Sequence, residues 1–369
     1  MRVPFVDLSA QYAAHKAEFD AALAEVIARN AFIGGEPVAA FERAYAERYG
    51  VDHCVSCANG TDAIYIALRM LGVGAGDEVI TTAASWISTS ETITQAGATP
   101  VFVDVDDYYL LDADRLGRAI TQKTRAVIVV HLYGQAADMS AISRICAENG
   151  LLLIEDCAQA HFAEWGGQRV GTIGDVGTFS FYPGKNLGAW GDAGAIVTNR
   201  AELAEKCRMF ANHGALVKHR HLMEGINSRM DGLQAALLTA KLGHIGAWTD
   251  ARRRVADRYN KLLAGVGDLR LPAVRDDASH VYHLYVVNTA YRDELRAFLG
   301  ARGIQSAIHY PTALPLLPAY DYLDIDAASI PVAARNQDRI LSLPMYPELE
   351  TDMIEYVASS IMEFYDRQR

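Results

Sequence analysis

The stretch Ser180-Phe181-Tyr182-Pro183-Gly184-Lys185-Asn186-Leu187-Gly188-Ala189-Trp190-Gly191-Asp192-Ala193-Gly194 sets one lysine between two strand-like runs, Gly177 to Tyr182 and Gly194 to Thr198. Lysine is costly to bury, so one held between buried strands needs either a partner or a chemical task. A desolvated lysine amine is a nucleophile that forms a Schiff base with a carbonyl. The plain alternative is a surface lysine on a hairpin loop. The rest of the chain has to decide between them.

Working outward, the segment upstream alternates short apolar runs with helical patterns. Strands are expected at His53 to Cys57, Val79 to Thr81, Val101 to Asp104, Ala126 to Val130 and Leu151 to Glu155, with helices near 62–71, 87–96, 113–120 and 138–149. That rhythm predicts an α/β fold with a mostly parallel central sheet covered by helices on both faces. Two helices, ending near Asn30 and Tyr49, precede it. Downstream the strand rhythm stops and helices are expected at 201–211, 229–245 and 249–264. From about 268 the pattern becomes a small α+β unit, with strands near 281–289 and 304–310, a helix at 292–302 and a last helix from about 351. The break near 245–267 predicts a large unit, 1–248, and a small one, 249–369.

Composition narrows the function classes. With 51% hydrophobic and 21% charged residues, the 369-residue chain is an ordinary globular protein. Its formal net charge of −11 argues against a general nucleic-acid or membrane-surface binder, either of which needs a basic face. No run reaches transmembrane length and no basic-then-apolar leader pattern is visible, so a cytoplasmic protein is expected. The five cysteines do not read as a disulfide framework. Cys54 and Cys57 form a lone C-x-x-C without a second pair, so no metal site is expected.

Two further stretches join the lysine segment. Ile154-Glu155-Asp156-Cys157-Ala158-Gln159-Ala160 puts an acid at the carboxyl end of a strand, where open α/β sheets collect ligands. Ala58-Asn59-Gly60-Thr61-Asp62-Ala63 is a glycine turn opening a helix, whose free N–H groups suit a phosphate and equally suit a plain cap. Together with the lysine segment, these resemble the DegT/DnrJ/EryC1/StrS family of sugar aminotransferases, which depend on pyridoxal 5′-phosphate. The resemblance runs from Val3-Pro4-Phe5-Val6-Asp7-Leu8 to Leu343-Pro344-Met345-Tyr346-Pro347.

The resemblance implies an aspartate-aminotransferase-like fold, fold type I of the pyridoxal phosphate enzymes, and a set of roles. Lys185 is the catalytic, cofactor-bearing lysine. Asp156 holds the pyridine nitrogen protonated, where its plain reading is a helix cap; Gln159 lies near the ring hydroxyl. Gly60, Thr61 and Ser180 form the phosphate cup. Trp86 covers the ring, unless it is simply a core tryptophan. Asn227, in Gly225-Ile226-Asn227-Ser228-Arg229-Met230, reaches the phosphate of the neighbouring subunit, which requires a homodimer. Arg229 at a helix start, Tyr182, and the pair His309 and Tyr310 in Ile308-His309-Tyr310-Pro311 belong to the sugar pocket, the last pair supplied by the partner subunit.

The implied reaction transfers an amino group from L-glutamate to a keto sugar. A dehydrating branch of the family carries histidine in place of the lysine, so Lys185 speaks for transamination. The run Tyr182-Pro183, Lys185-Asn186-Leu187-Gly188 and Gly191-Asp192 is similar to members acting at C-3 of nucleotide-linked sugars. Amination at C-4, a different pyridoxal phosphate enzyme and a non-catalytic sensor or structural protein are the alternatives. One departure stands out: Ser85-Trp86-Ile87-Ser88-Thr89 differs from the usual T-[FY]-[IV]-A-T.

Overall fold

A computed structural model describes residues 1–368; Arg369, the last residue of the expected small unit, lies outside the described residues. Seven strands form the central sheet: β1 His53–Cys57, β2 Glu78–Thr82, β3 Thr99–Val103, β4 Thr124–Val130, β5 Leu152–Asp156, β6 Val176–Ser180 and β7 Gly194–Thr198. Their order is β1-β7-β6-β5-β4-β2-β3, and β7 alone runs against the other six. The strand rhythm therefore translates into the mostly parallel sheet it predicts.

Alternation along β4 and β5 shows why both faces are apolar. Ala126, Ile128 and Ile154 pack with Ile64 and Leu68 of α3 (Gly60–Met70) and Leu203 and Phe210 of α7 (Ala201–Ala211). Val127, Val129 and Leu153 face Leu116 of α5 (Ala113–Ala119) and Met139 and Ile142 of α6 (Met139–Asn149). A strand covered on both sides reads as a continuous apolar run. The remaining helices of this part are α1 (Leu8–Ala28), α2 (Gly35–Tyr49), α4 (Ser88–Gln95) and α8 (Gly232–Leu242). Phe41 and Tyr45 of α2 pack edge-on against Phe181, just before the lysine loop. Burial of such a ring contributes about 2 kcal/mol or more.

The helix α9 (Ile245–Leu263) joins two cores. Ile245 and Trp248 pack in the cluster that holds Phe41 and Phe181, while Val255, Tyr259 and Leu263 pack with Tyr285, Leu299 and Ile361 of the C-terminal part. That part contains β8 (Tyr285–Asn288), α10 (Arg292–Ala301), α11 (Pro331–Asn336), β9 (Ile340–Leu343) and α12 (Thr351–Asp366). No helix among the described residues is long and apolar enough to cross a membrane.

Two expectations need correction here. Residues 304–310 do not form a strand: they make single bridges, Val3 to Ile304 and Ala307 to Ser342, and β9 is the antiparallel partner of β8. The second concerns the helix expected over 229–245, which starts only at Gly232. Residues before it are held extended, with Asp231 bridged to Ile33 and the Ser228 N–H donated to the Ala211 carbonyl.

Candidate active site

Six parallel strands end at one edge of the sheet, and the expected site residues gather there. Lys185 lies in the connection between β6 and β7. Backbone bonds pin that loop: Phe181 N–H to the Ala193 carbonyl at 2.8 Å, Ala189 N–H to Phe181 at 2.7 Å, and Lys185 N–H to Tyr182 at 2.8 Å. The next side chain, Asn186, donates to the Val281 carbonyl at 2.9 Å and meets His283 Nδ1 at 3.3 Å, tying the loop to the chain leading into β8. Burial pulls the Lys185 amine down from its ordinary 10.5 to about 8, and the negative charge of Asp156 opposes that fall.

Asp156 closes β5. Its side chain is buried, and no helix follows it, so the helix-cap reading fails. Thr89 donates to Oδ2 at 2.8 Å, Ala158 N–H donates to Oδ1 at 3.1 Å, and Ser85 Oγ lies 2.9 Å from Thr89 Oγ1. Burial raises the Asp156 carboxyl above its usual range; those two donors and the charge of Lys185 pull the other way. Hydrogen bonds to an ionised carboxylate favour its charged form.

Gln159, one turn on, accepts from Tyr133 N–H at 2.8 Å and donates to the Tyr310 hydroxyl at 3.1 Å. The Tyr310 ring stands 5.5 Å from that of Trp86, which is 57% exposed and so is no core tryptophan. His309 stacks on Phe5 at 5.6 Å and shares a 2.8 Å hydrogen bond with Ser342 Oγ. Burial, aided by the positive charge of Lys185, lowers His309 to about 4, so its imidazole is neutral. The expectation that His309 and Tyr310 come from a partner is overturned. Both stand in the same chain as Gln159 and Lys185, because the bridge between Ala307 and Ser342 carries residues 307–310 along β9 toward Gln159.

On the other side of the lysine loop, Asn59 caps α3 by accepting from Asp62 N–H at 2.8 Å. Gly60 opens this helix against Ser180: a Cβ at Gly60 would lie 2.5 Å from the Ser180 Cβ, so only glycine lets the two approach. Thr61 Oγ1 is 2.7 Å from Ser88 Oγ. Ser228 clamps the turn, accepting from Ala58 N–H at 3.1 Å and donating to Asp62 at 2.6 Å. Gly60, Thr61 and Ser180 are thus one cluster. Asn227, Arg229 and Tyr182 are exposed, and Arg229 reaches Asn212 at 3.3 Å before the helix begins.

Four residues at this edge escaped the sequence reading. Thr89 and Ser88, the first residues of α4, lie in the Ser85–Thr89 stretch whose departure from the pattern was the available signal. His161 accepts from the Tyr45 hydroxyl at 3.0 Å and donates to the Ser180 carbonyl at 2.9 Å; burial lowers it to about 4. His283 is held well below its ordinary value by burial and by the charges of Lys185 and Arg252. Neither carried a spacing signal. Glu155, beside Asp156, turns the other way and accepts from Gly171, Ile173 and Gly174 N–H and from His131 Nε2 at 2.7–3.0 Å. It is a structural acid. The cysteines Cys54 and Cys57 are buried free thiols pushed upward by burial.

Known proteins resemble this chain in sequence and in fold. A Geobacillus stearothermophilus protein named pleiotropic regulatory protein is 46% identical over 368 residues, 99% of both chains. The UDP-N-acetyl-3-dehydro-α-D-glucosamine 3-aminotransferase of Acidithiobacillus ferrooxidans is 43% identical over 360 residues, 97% of both. The crystal structure of S. venezuelae DesV in complex with a ketimine intermediate superposes with a TM-score of 0.97 at 43% identity, covering 99% of each chain. Residues 13–362 match a single family, in agreement with the lysine, acid and glycine-turn motifs. The chain belongs to the DegT/DnrJ/EryC1/StrS aminotransferase family.

Proposed function

We propose that this chain is a pyridoxal phosphate-dependent aminotransferase that moves an amino group from L-glutamate to a nucleotide-linked 3-keto sugar. The observation that carries the reading is a partly buried lysine between β6 and β7 with a buried aspartate closing β5 at the same sheet edge, and burial lowers the lysine amine to about 8. The close approach of Gly60, at the start of α3, to Ser180, which any Cβ would block, supports placing the phosphate at this helix N-terminus. Bound there, pyridoxal phosphate supplies an electron sink conjugated with the substrate carbon.

Each side chain then has a task. Lys185 would hold the cofactor through its carbonyl, and its amine would move the proton at the substrate carbon. Lowering the amine to about 8 leaves more of it neutral near physiological pH than an ordinary lysine would have. Asp156, steadied by Thr89 and Ala158 N–H, holds the proton on the ring nitrogen. Gly60, Thr61 and Ser180 bind the phosphate, Trp86 covers the ring, and Gln159 sits by the ring hydroxyl. Tyr182, Arg229, His309 and Tyr310 orient the sugar.

Asn227 is assigned to the phosphate of a second copy, making the active unit a homodimer. Supporting this, Phe32, Ile33, Leu216, Val217 and Leu222 are exposed apolar side chains, and Ile33 bridges Asp231 just beyond the Asn227 segment. A division at 248/249 gives the large unit the cofactor residues and the small one His309 and Tyr310. The protein works in the cytoplasm, where keto-sugar nucleotides and glutamate meet.

The 3-keto position rests on the Lys185 segment and on the name of the A. ferrooxidans relative. The test is to convert the loaded enzyme with L-glutamate, then offer nucleotide-linked 3-keto and 4-keto hexoses. Amination of the 3-keto compound alone is expected; faster amination of the 4-keto compound would overturn the position. The name of the G. stearothermophilus relative favours a second, regulatory reading. Loaded protein that never turns over with any keto sugar would support that one.

A further inference from the structure

Ser88 stands where the usual T-[FY]-[IV]-A-T pattern has alanine, and its hydroxyl is not idle. The side chain is buried, opens α4, and lies 2.7 Å from Thr61 Oγ1 at the start of α3. Its other partner is Glu91 Oε1, at a longer 3.3 Å. We infer that Ser88 is a positioning residue of the phosphate cup, holding the Thr61 hydroxyl in the orientation that donates to a phosphate oxygen. This rests on the reading of Gly60 and Thr61 as the phosphate site.

A hydroxyl has a single proton and two lone pairs. When Thr61 directs its proton at a phosphate, its oxygen is left as an acceptor inside the fold and needs a donor. Ser88 Oγ is within hydrogen-bond distance of that oxygen. The Glu91 carboxylate can only accept, so with no anion present Ser88 donates to Glu91 and accepts from Thr61. With phosphate in the cup, the Ser88 proton swings to Thr61 and the Thr61 proton turns outward. Alanine at this position would leave Thr61 without that donor and its rotor without a stop. The two hydroxyls therefore act as one relay between α3 and α4.

The experiment measures binding of pyridoxal phosphate and of pyridoxal, which lacks the phosphate, to the cofactor-free protein by fluorescence quenching. Proteins compared are wild type, Ser88→Ala, Thr61→Val and the double variant, each first checked for an unchanged melting temperature. Losing one neutral hydrogen bond weakens binding about five-fold. Ser88→Ala is expected to bind pyridoxal phosphate about five-fold more weakly and pyridoxal equally well. The double variant should be no weaker than Thr61→Val, since the two hydroxyls work as a unit. Normal phosphate-form affinity in Ser88→Ala with a weakened Thr61→Val overturns the relay and leaves the cup standing. If Thr61→Val also binds like wild type, the phosphate-site reading itself is wrong, and the relay falls with it.

Discussion

Replacing Lys185 by methionine in the cofactor-free protein should make it more stable, by an amount that depends on pH. The folded protein lowers this amine from 10.5 to about 8, chiefly by burial. Below pH 8 both folded and unfolded chains carry the charge, and the fold bears the whole desolvation penalty. Between pH 8 and 10.5 the folded chain releases the proton while the unfolded chain keeps it, so the penalty fades as pH rises. The shift corresponds to about 3 kcal/mol at pH 7, about 2 kcal/mol at pH 9 and less than about 0.5 kcal/mol at pH 10.5. These are ceilings, because Lys185 is only partly buried. Methionine keeps most of the side-chain volume and carries no charge. For a chain of this length, about 3 kcal/mol raises the melting temperature by about 4 °C. Differential scanning calorimetry of the two apoproteins from pH 7 to 10 tests this. A Lys185→Met protein no more stable than wild type at pH 7, or an advantage that does not shrink as pH rises, refutes the claim that burial presses the amine toward its neutral form.

Other substitutions probe the neighbours. Thr89→Val keeps the shape but removes the 2.8 Å donor to Asp156, raising that carboxyl further; pyridoxal phosphate affinity should fall roughly ten-fold or more by equilibrium dialysis. Glu155→Gln puts an amide where an ion takes three backbone N–H groups and a histidine; denaturant titration should report a loss of about 3 kcal/mol or more, well beyond a surface change. Mixing Lys185→Ala with Asn227→Ala chains should restore activity toward a quarter of wild type if Asn227 acts across a dimer. A mixture as inactive as its parents would place Asn227 in its own site.

Much of the fold was legible because parallel strands buried on both faces leave continuous apolar runs, as in Ala126 to Val130. The lysine, acid and glycine-turn segments were legible for a different reason. Each sits at the carboxyl end of a strand, where the sheet topology brings distant sequence together. What stayed hidden depended on contacts across the chain. The four-residue strand β9 is too short to show a period, and residues 304–310, which read as a strand, are single-bridged between the N-terminal segment and β9. The same path brings Tyr310 to Gln159, 151 positions away, within one chain, which no local pattern announces. His161 and His283 lack spacing signals because their tasks are to bond a carbonyl, a tyrosine and an asparagine in the interior. Thr89 and Ser88 looked like ordinary hydroxyl residues at a helix start until the fold set them against Asp156 and Thr61.

Two events are central to the proposed activity: Lys185 carries the cofactor, and glutamate discharges it. Absorption spectra of the protein loaded with pyridoxal phosphate, recorded before and after L-glutamate, measure both, with released 2-oxoglutarate assayed alongside. The expected result is a visible band that disappears with one equivalent of 2-oxoglutarate per site, and no such band or product from Lys185→Ala. A wild-type band unchanged by glutamate, or a Lys185→Ala protein that still releases 2-oxoglutarate, would contradict it.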